Sequence, residues 1–166
     1  RGFDEFHIDG EENRNGERSF AASLMWAGEK LKNLPRDKSF FLFLHTYAIH
    51  CPYRPAEPYL SMFNSQDAQR IHPGRCGTVY NKKGVNAAQA LYISDRYDGS
   101  IRQVDGFLKS FFDGLRAEGV LDNTIVIITS DHCEEFLEHG RIGHQMSLFK
   151  ELLMVPLIVS VPGLQG

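Results

Sequence analysis

The sequence contains no apolar run that approaches the length of a membrane span. Runs such as residues 40–44 and 125–128 are far short of the roughly 18 to 20 residues that a transmembrane helix needs. We therefore predict no membrane segment within this chain. The amino terminus also lacks an initiator Met and a basic-then-apolar signal pattern, so we expect the start of the parent protein to be missing.

The chain also lacks a strong charge of either sign. Its 18 basic and 21 acidic residues give a formal net charge of -3, which predicts no general attraction to nucleic acid or to acidic membranes. Hydrophobic residues make up 42% of the sequence, enough to exclude disordered and low-complexity classes. We expect an ordinary globular chain without a nucleic-acid partner.

Cysteine is scarce, with Cys51, Cys76 and Cys133 as its only occurrences. This odd number, without regular spacing, matches neither a disulfide scaffold nor a zinc ribbon. Buried or incidental thiols are the preferred interpretation. A disulfide between two of the cysteines stays open, because it depends on geometry.

Apolar periodicity predicts helices and strands in alternation. The predicted helices cover 19–34, 59–63, 91–119 and 148–153, and the predicted strands cover 39–44, 124–129 and 155–161. Residues 54–86 carry prolines and glycines without sustained periodicity and are predicted to be an irregular insertion or substrate loop. This order predicts an α/β fold with a mainly parallel sheet flanked by helices, whose strands are buried on both faces.

Histidines and a carboxylate follow two of the predicted strands. His45 and His50 come after the first strand, and the pair Asp131-His132 comes after the second. In parallel sheets these carboxyl ends are where ligands bind. An imidazole nitrogen beside a carboxylate oxygen suits Ca²⁺, Mn²⁺ or Zn²⁺, but two adjacent ligands are too few for any of them.

The remaining histidines have simpler interpretations. We expect no catalytic function for His7 or His72, and we interpret His45 as a buried, hydrogen-bonded residue. His139 is open between a metal ligand and a surface role.

Longer segments resemble the sulfatase family of the alkaline phosphatase superfamily. The segments are Tyr97-Asp-Gly-Ser-Ile-Arg-Gln-Val-Asp105, Leu121-Asp-Asn-Thr-Ile-Val-Ile-Ile-Thr-Ser-Asp-His132, Glu138-His-Gly-Arg-Ile-Gly-His144 and Val155-Pro-Leu-Ile-Val159, with Phe40-Phe-Leu-Phe-Leu-His-Thr-Tyr47 and His50-Cys-Pro52 upstream. The resemblance runs from about residue 1 to 163. It implies that residues 1–166 are a partial, later portion of an alkaline-phosphatase-like catalytic domain.

The resemblance also implies roles for individual residues. Asp131 and His132 match ligands of the divalent cation, which is Ca²⁺ in a sulfatase and Mn²⁺ or Zn²⁺ in a phosphatase-type relative. His50 matches the histidine that contacts the sulfate and helps the leaving group depart. His144 matches a Lys or His position that contacts the ester oxygens and can protonate the leaving alkoxide.

Two departures from the family pattern stand out. The resemblance places Gly where this chain has Cys133, and a Cys would be strained there if the backbone needs a positive φ. No cysteine lies in the motif that yields the formylglycine nucleophile, and the family's other metal carboxylates have no counterpart. We therefore expect formylglycine in a missing part of the parent and an inactive isolated chain.

The predicted function is part of a metal-dependent hydrolase of sulfate esters, possible substrates including sulfated sugars. The alternatives are a phosphomonoester or phosphonate hydrolase or phosphotransferase of the same superfamily, or a non-catalytic relative. The resemblance implies an extracytoplasmic, periplasmic or lumenal location. An incomplete sheet would leave an exposed edge, through which we expect self-association.

Overall fold

The fold is taken from a computed structural model, which describes residues 2–8, 16–71, 84–144 and 147–164. Among these residues, no helix combines the length and the apolar character needed to cross a membrane. His72 and Cys76 lie outside the described residues.

The long helix α3, Ala87–Ala117, organises the chain. It begins at a capping box, in which the Asn86 side chain accepts from the Gln89 backbone N–H and the Gln89 side chain accepts from the Asn86 N–H. It ends just before Gly119, whose φ of 69° is left-handed, a usual way to stop a helix. The helix predicted over 91–119 is thus confirmed.

The carboxyl-terminal half of α3 packs against the helix α1, Gly16–Lys32. A first core cluster forms here from residues on three segments: Phe20, Leu24, Ala48 and Val104, with Leu44, Ile49, Phe107, Leu108 and Phe111 partly buried around them. Burying an aliphatic or aromatic side chain of this size contributes at most roughly 1.5–3 kcal/mol. The apolar residues whose spacing predicted the two helices are therefore among the residues through which the helices pack together.

The amino-terminal half of α3 forms a second core cluster. Its buried members are Cys51, Tyr53, Ala90, Ile93 and Ile142, with Ile71, Val85, Tyr97, Phe136 and Leu137 packed against them. Residues 48–53 contribute to both clusters, so this segment is held at its two ends along the same helix.

The short helix α2, Tyr59–Met62, packs closely on α3. A Cβ at Gly99 would lie 2.8 Å from the Tyr59 carbonyl oxygen and 2.9 Å from Pro55 Cγ, and a Cβ at Gly106 would lie 2.8 Å from the Tyr59 hydroxyl oxygen. The Gln103 side chain between them accepts a hydrogen bond from the Ala56 N–H at 2.7 Å. Gly99 therefore allows a close approach of the Tyr59 backbone that a larger residue would block, whereas at Gly106 the neighbour is the end of a side chain that can shift.

The predicted mainly parallel sheet is not confirmed. The strands β1, Val126–Thr129, and β4, Leu157–Ser160, pair antiparallel with Val126 opposite Ser160. The strands β2, Glu135–Phe136, and β3, Ile142–Gly143, form a second antiparallel pair. Each sheet has two strands in the part of the chain that the structure describes. Apolar runs predict strands, but they do not specify which strands become neighbours.

Residues 39–44 form no strand, contrary to the prediction of a strand buried on both faces. Phe41 and Phe43 are 76% and 66% exposed, whereas Leu42 and Leu44 are partly buried. The segment thus buries one face. A strand needs neighbours for its backbone N–H and C=O groups, and no other described strand pairs with this segment.

Short helices precede two of the strands. A 3₁₀ helix, Leu121–Asn123, precedes β1, and the helix α4, Lys150–Leu153, precedes β4. The short helices predicted at 59–63 and 148–153 are confirmed in α2 and α4.

The close approach at Gly99 gives a stability prediction with an internal control. Gly99→Ala should destabilise the fold by roughly 1–3 kcal/mol, because the new Cβ overpacks against backbone. Gly114→Ala, with nothing within 4 Å of its Cβ position in the described structure, should stabilise α3 by up to about 1 kcal/mol. Urea unfolding measures both, and equal effects of the two substitutions would contradict the packing described here.

Candidate active site

Two segments carry the predicted site residues. The first, residues 45–53, bears His50 and is held at both ends on α3. The second, residues 130–144, begins directly after β1, bears Asp131 and His132, and returns through the hairpin β2–β3 to His144. Because Ile142 and Phe136 of this hairpin pack in the second core cluster beside Cys51 and Tyr53, the two segments meet.

The structure brings the imidazoles of His50, His132 and His144 together. The His132 and His144 rings stack with centroids 4.0 Å apart, and the His50 ring meets His144 edge-on at 5.2 Å. We call these residues the imidazole cluster. Three histidines that the sequence predicts to be site residues, from separate parts of the chain, therefore lie side by side in the structure.

Each ring in the imidazole cluster is held through its Nδ1 atom. Nδ1 of His50 lies 2.7 Å from the Cys51 carbonyl oxygen, Nδ1 of His132 lies 2.9 Å from the Cys133 carbonyl oxygen, and Nδ1 of His144 lies 2.9 Å from a carboxylate oxygen of Glu134. Carbonyl and carboxylate oxygens only accept, so each Nδ1 donates its hydrogen. In the neutral rings, Nε2 then carries the lone pair for a metal or a proton.

Asp131 lies at the exposed edge of the cluster. Its Oδ1 atom is 3.8 Å from His132 Nε2, and its side chain is 79% exposed. A carboxylate oxygen and an imidazole nitrogen with an open lone pair fit part of a divalent-cation site. Within the described residues no group of three or more His, Cys, Asp and Glu side chains has an arrangement that could hold a metal ion.

Glu134 and Tyr53 belong to the site, although the sequence patterns did not single them out. The Glu134 side chain is 5% exposed, and its second carboxylate oxygen accepts a hydrogen bond from the Tyr53 hydroxyl. Glu134 follows the predicted metal pair closely, which was an available signal. No sequence feature links Tyr53 to it across 81 positions.

The other three described histidines lie outside the imidazole cluster, and one of them is linked to it through Tyr47. His45 is exposed rather than buried as predicted, and its ring contacts Tyr47, which in turn meets His50. His139 stacks on Phe149 at 3.6 Å and pairs with Glu151 through Nε2. His7 stacks on Trp26.

The cysteines differ from the preferred interpretation in one respect. Cys51 is disulfide-bonded, so it is not an incidental thiol. Cys133 is free, and its N–H donates to the Leu152 carbonyl at 3.0 Å. Among the described residues Leu137 is the only non-glycine with a positive φ, so Cys133 does not carry the strain that was considered for this position.

Comparisons with known proteins agree with one another. A family model described as Sulfatase matches residues 5–166. Arylsulfatase K of Bos taurus is 30% identical over 107 residues, 64% of this chain and 19% of that protein. The multifunctional alkaline phosphatase superfamily protein PehA of Trinickia caryophylli is 27% identical over 154 residues, 76% of this chain and 29% of that protein.

An arylsulfatase of Clostridium perfringens (strain 13 / Type A) is 25% identical over 149 residues, 80% of this chain and 30% of that protein. The chain thus spans less than a third of the length of these three relatives.

Tyr97, whose ring packs against Tyr53 and Phe136, gives a pH prediction. Burial raises its pKa from 10.0 to about 12, with smaller contributions from Cys133, Glu134 and Asp98. The folded state therefore keeps the Tyr97 proton where the unfolded state loses it, so the free energy of unfolding should fall as the pH rises from 10 to 12.

Ultraviolet absorbance of phenolate measures this ionisation directly. Tyr97→Phe should match the wild type at pH 10 and show a smaller phenolate signal only near pH 12. A difference already present at pH 10 would contradict the assigned environment.

Proposed function

Because this chain belongs to the sulfatase family, we propose that it is part of a metal-dependent hydrolase of sulfate esters. Membership implies an alkaline-phosphatase-like α/β fold. The observation that carries the proposal is the imidazole cluster with Asp131 at its edge, since it gathers the residues His50, His132 and His144 that match family positions. We propose that residues 1–166 are a partial catalytic domain, with residues 54–86 as its substrate loop.

The proposed roles follow from the resemblance to the family and from the atoms that the internal hydrogen bonds leave available, which are the Nε2 atoms of the three histidines. Asp131 and His132 contribute to binding a divalent cation, Ca²⁺ in a sulfatase, which when bound neutralises charge on the ester oxygens. His50 holds the sulfate and assists the leaving group. His144 would act with hydrogen on both ring nitrogens: Nδ1 keeps its hydrogen on Glu134, and the proton on Nε2 passes to the leaving oxygen, which lowers the cost of breaking the ester bond.

The nucleophile is proposed to lie in another part of the parent protein. Cys51 is followed by Pro-Tyr-Arg and Cys133 by Glu-Glu-Phe, and neither sequence resembles the motif that yields formylglycine. In addition, the Cys51 sulfur is already bonded to another sulfur. The isolated chain should therefore lack turnover even though it carries residues for the leaving group.

A second candidate within the superfamily is a phosphomonoester or phosphonate hydrolase or a phosphotransferase, with Mn²⁺ or Zn²⁺ as the cation. One observation favours it: PehA, named as a multifunctional alkaline phosphatase superfamily protein, aligns with 76% of this chain. The imidazole cluster would serve either ester, because sulfate and phosphate groups both need charge neutralisation and a protonated leaving oxygen.

The proposed location is extracytoplasmic, periplasmic or lumenal. The disulfide at Cys51 supports it, since disulfides persist in oxidising compartments. Finding Cys51 as a free thiol in the native protein, by alkylation and peptide mapping, would remove this support.

Metal binding by the full-length parent tests the function. Calorimetric titration should detect a divalent cation, and Asp131→Ala should weaken its affinity at least about tenfold, as losses around metal ligands typically do. Asp122→Ala is the matched control, because this exposed carboxylate lies on the 3₁₀ helix Leu121–Asn123. Preference for Ca²⁺ over Mn²⁺ and Zn²⁺ would separate the sulfatase from the phosphatase-type proposal.

Two results would contradict the proposal. Absent binding, with Asp131→Ala indistinguishable from the wild type, would favour a non-catalytic relative. Turnover of an aryl sulfate by the purified 166-residue chain, lost in His50→Ala, would show that the nucleophile lies within it.

We also propose that the isolated chain self-associates through its β1–β4 sheet. Ile127, Leu157 and Ile158 are 62%, 69% and 59% exposed, and each strand has one unpaired edge among the described residues. Exposed apolar edges pair readily with other copies. Light scattering should show species larger than a monomer, and Ile127→Lys should reduce them.

Leu148→Lys is the control for this substitution, since Leu148 is 83% exposed but lies outside the sheet. A stable monomer in the wild type, or an equal effect of both lysines, would rule out association through the sheet.

A further inference from the structure

We infer that Glu134, held by Tyr53, is a positioning residue that fixes the ring of His144 in the active site. The inference concerns orientation and which ring nitrogen carries the hydrogen. It rests on the proposed function for its catalytic meaning, but the contacts that support it are independent of the reaction.

Glu134 uses both of its carboxylate oxygens. One accepts from His144 Nδ1 at 2.9 Å, and the other accepts from the Tyr53 hydroxyl at 2.5 Å. With a side chain only 5% exposed, the carboxylate depends on these donors, because a buried charge without hydrogen bonds is costly. The carboxylate therefore links two segments of the chain at one point.

Tyr53 is itself fixed by α3. It is 3% exposed, and its ring meets Tyr97 at 5.3 Å and Phe136 at 6.2 Å. Its carbonyl oxygen accepts from Arg96 Nε at 2.9 Å. Because its backbone and its ring are both held in this way, Tyr53 is a rigid hydrogen-bond donor for Glu134.

The consequence for His144 is a single tautomer in a single orientation. A carboxylate can only accept, so Nδ1 keeps the hydrogen and Nε2 of the neutral ring carries the lone pair. The ring is then stacked on His132 at 4.0 Å, with His50 beside it. Without Glu134, the ring could rotate or change tautomer, and Nε2 would no longer be fixed as the nitrogen that takes up and gives the catalytic proton.

The chain contains a second His–Glu pair that serves as a comparison. His139 Nε2 lies 3.0 Å from Glu151, and its ring stacks on Phe149. This pair uses the opposite ring nitrogen and lies outside the imidazole cluster. It therefore provides a histidine–carboxylate contact in the same chain that does not involve the imidazole cluster.

The test uses nuclear magnetic resonance of the 166-residue chain labelled with ¹⁵N-histidine, at a pH where the rings are neutral. His144→Gln assigns the resonance by removing it. The wild type should show His144 with hydrogen on Nδ1 and slow exchange with water. A hydrogen bond to a charged group slows such exchange roughly tenfold to a hundredfold.

Three variants separate positioning from general stability. Glu134→Gln keeps an oxygen that accepts from Nδ1, so the tautomer should be retained. Glu134→Leu removes the acceptor, so exchange should become at least about tenfold faster and the other tautomer should appear. Glu151→Gln is the matched control and should leave the His144 resonance unchanged.

Tyr53→Phe is the test if Glu134→Leu does not fold. It removes only the hydroxyl that donates to Glu134, and it should make exchange of the His144 ring hydrogen with water severalfold faster. Hydrogen on Nε2 in the wild type would overturn the inference, as would an unchanged His144 in both Glu134→Leu and Tyr53→Phe. Since these spectra require neither metal nor turnover, failure of the proposed hydrolase function would leave the result standing, and the reverse also holds.

Discussion

The packing of one face of α3 is the constraint on which the rest of the structure depends. Its amino-terminal half holds Tyr53 and the β2–β3 hairpin, and its carboxyl-terminal half holds α1. Residues 48–53 are attached to both halves, which leaves His50 between two fixed points. Helix packing thus holds the His50 side of the candidate active site, while Asp131 and His132 follow directly after β1.

The sequence predicted local structure well, because helix periodicity and caps act over a few residues. Gly119 follows the end of α3 close to where the sequence predicted it, whereas the capping box at Asn86 starts the helix four residues before the predicted start at residue 91. The pairing of β1 with β4 could not be read in the same way. Strand runs show that a segment is apolar and extended, but neighbours are chosen by contacts between distant parts of the chain.

The candidate site shows the same division. Asp131, His132, His50 and His144 were selected from motifs, and the structure places the three imidazoles in contact. Tyr53 was missed because its relation to the site is purely spatial, whereas Glu134 lies two positions after the predicted metal pair. Tyrosine and glutamate are common residues, and only the hydrogen bond between these two, seen in the structure, connects Tyr53 with the site.

The loop that follows Tyr53 is attached to α3 at several points. Tyr59 sits on Gly99 and Gly106, Ser65 donates to Asp95 through its N–H and its hydroxyl, and the Gln69 N–H donates to the Ala88 carbonyl at 2.9 Å. These attachments make α3 a fixed frame for residues 59–69 of the loop. Any shift of α3 would therefore move this part of the loop together with the segment that bears His50.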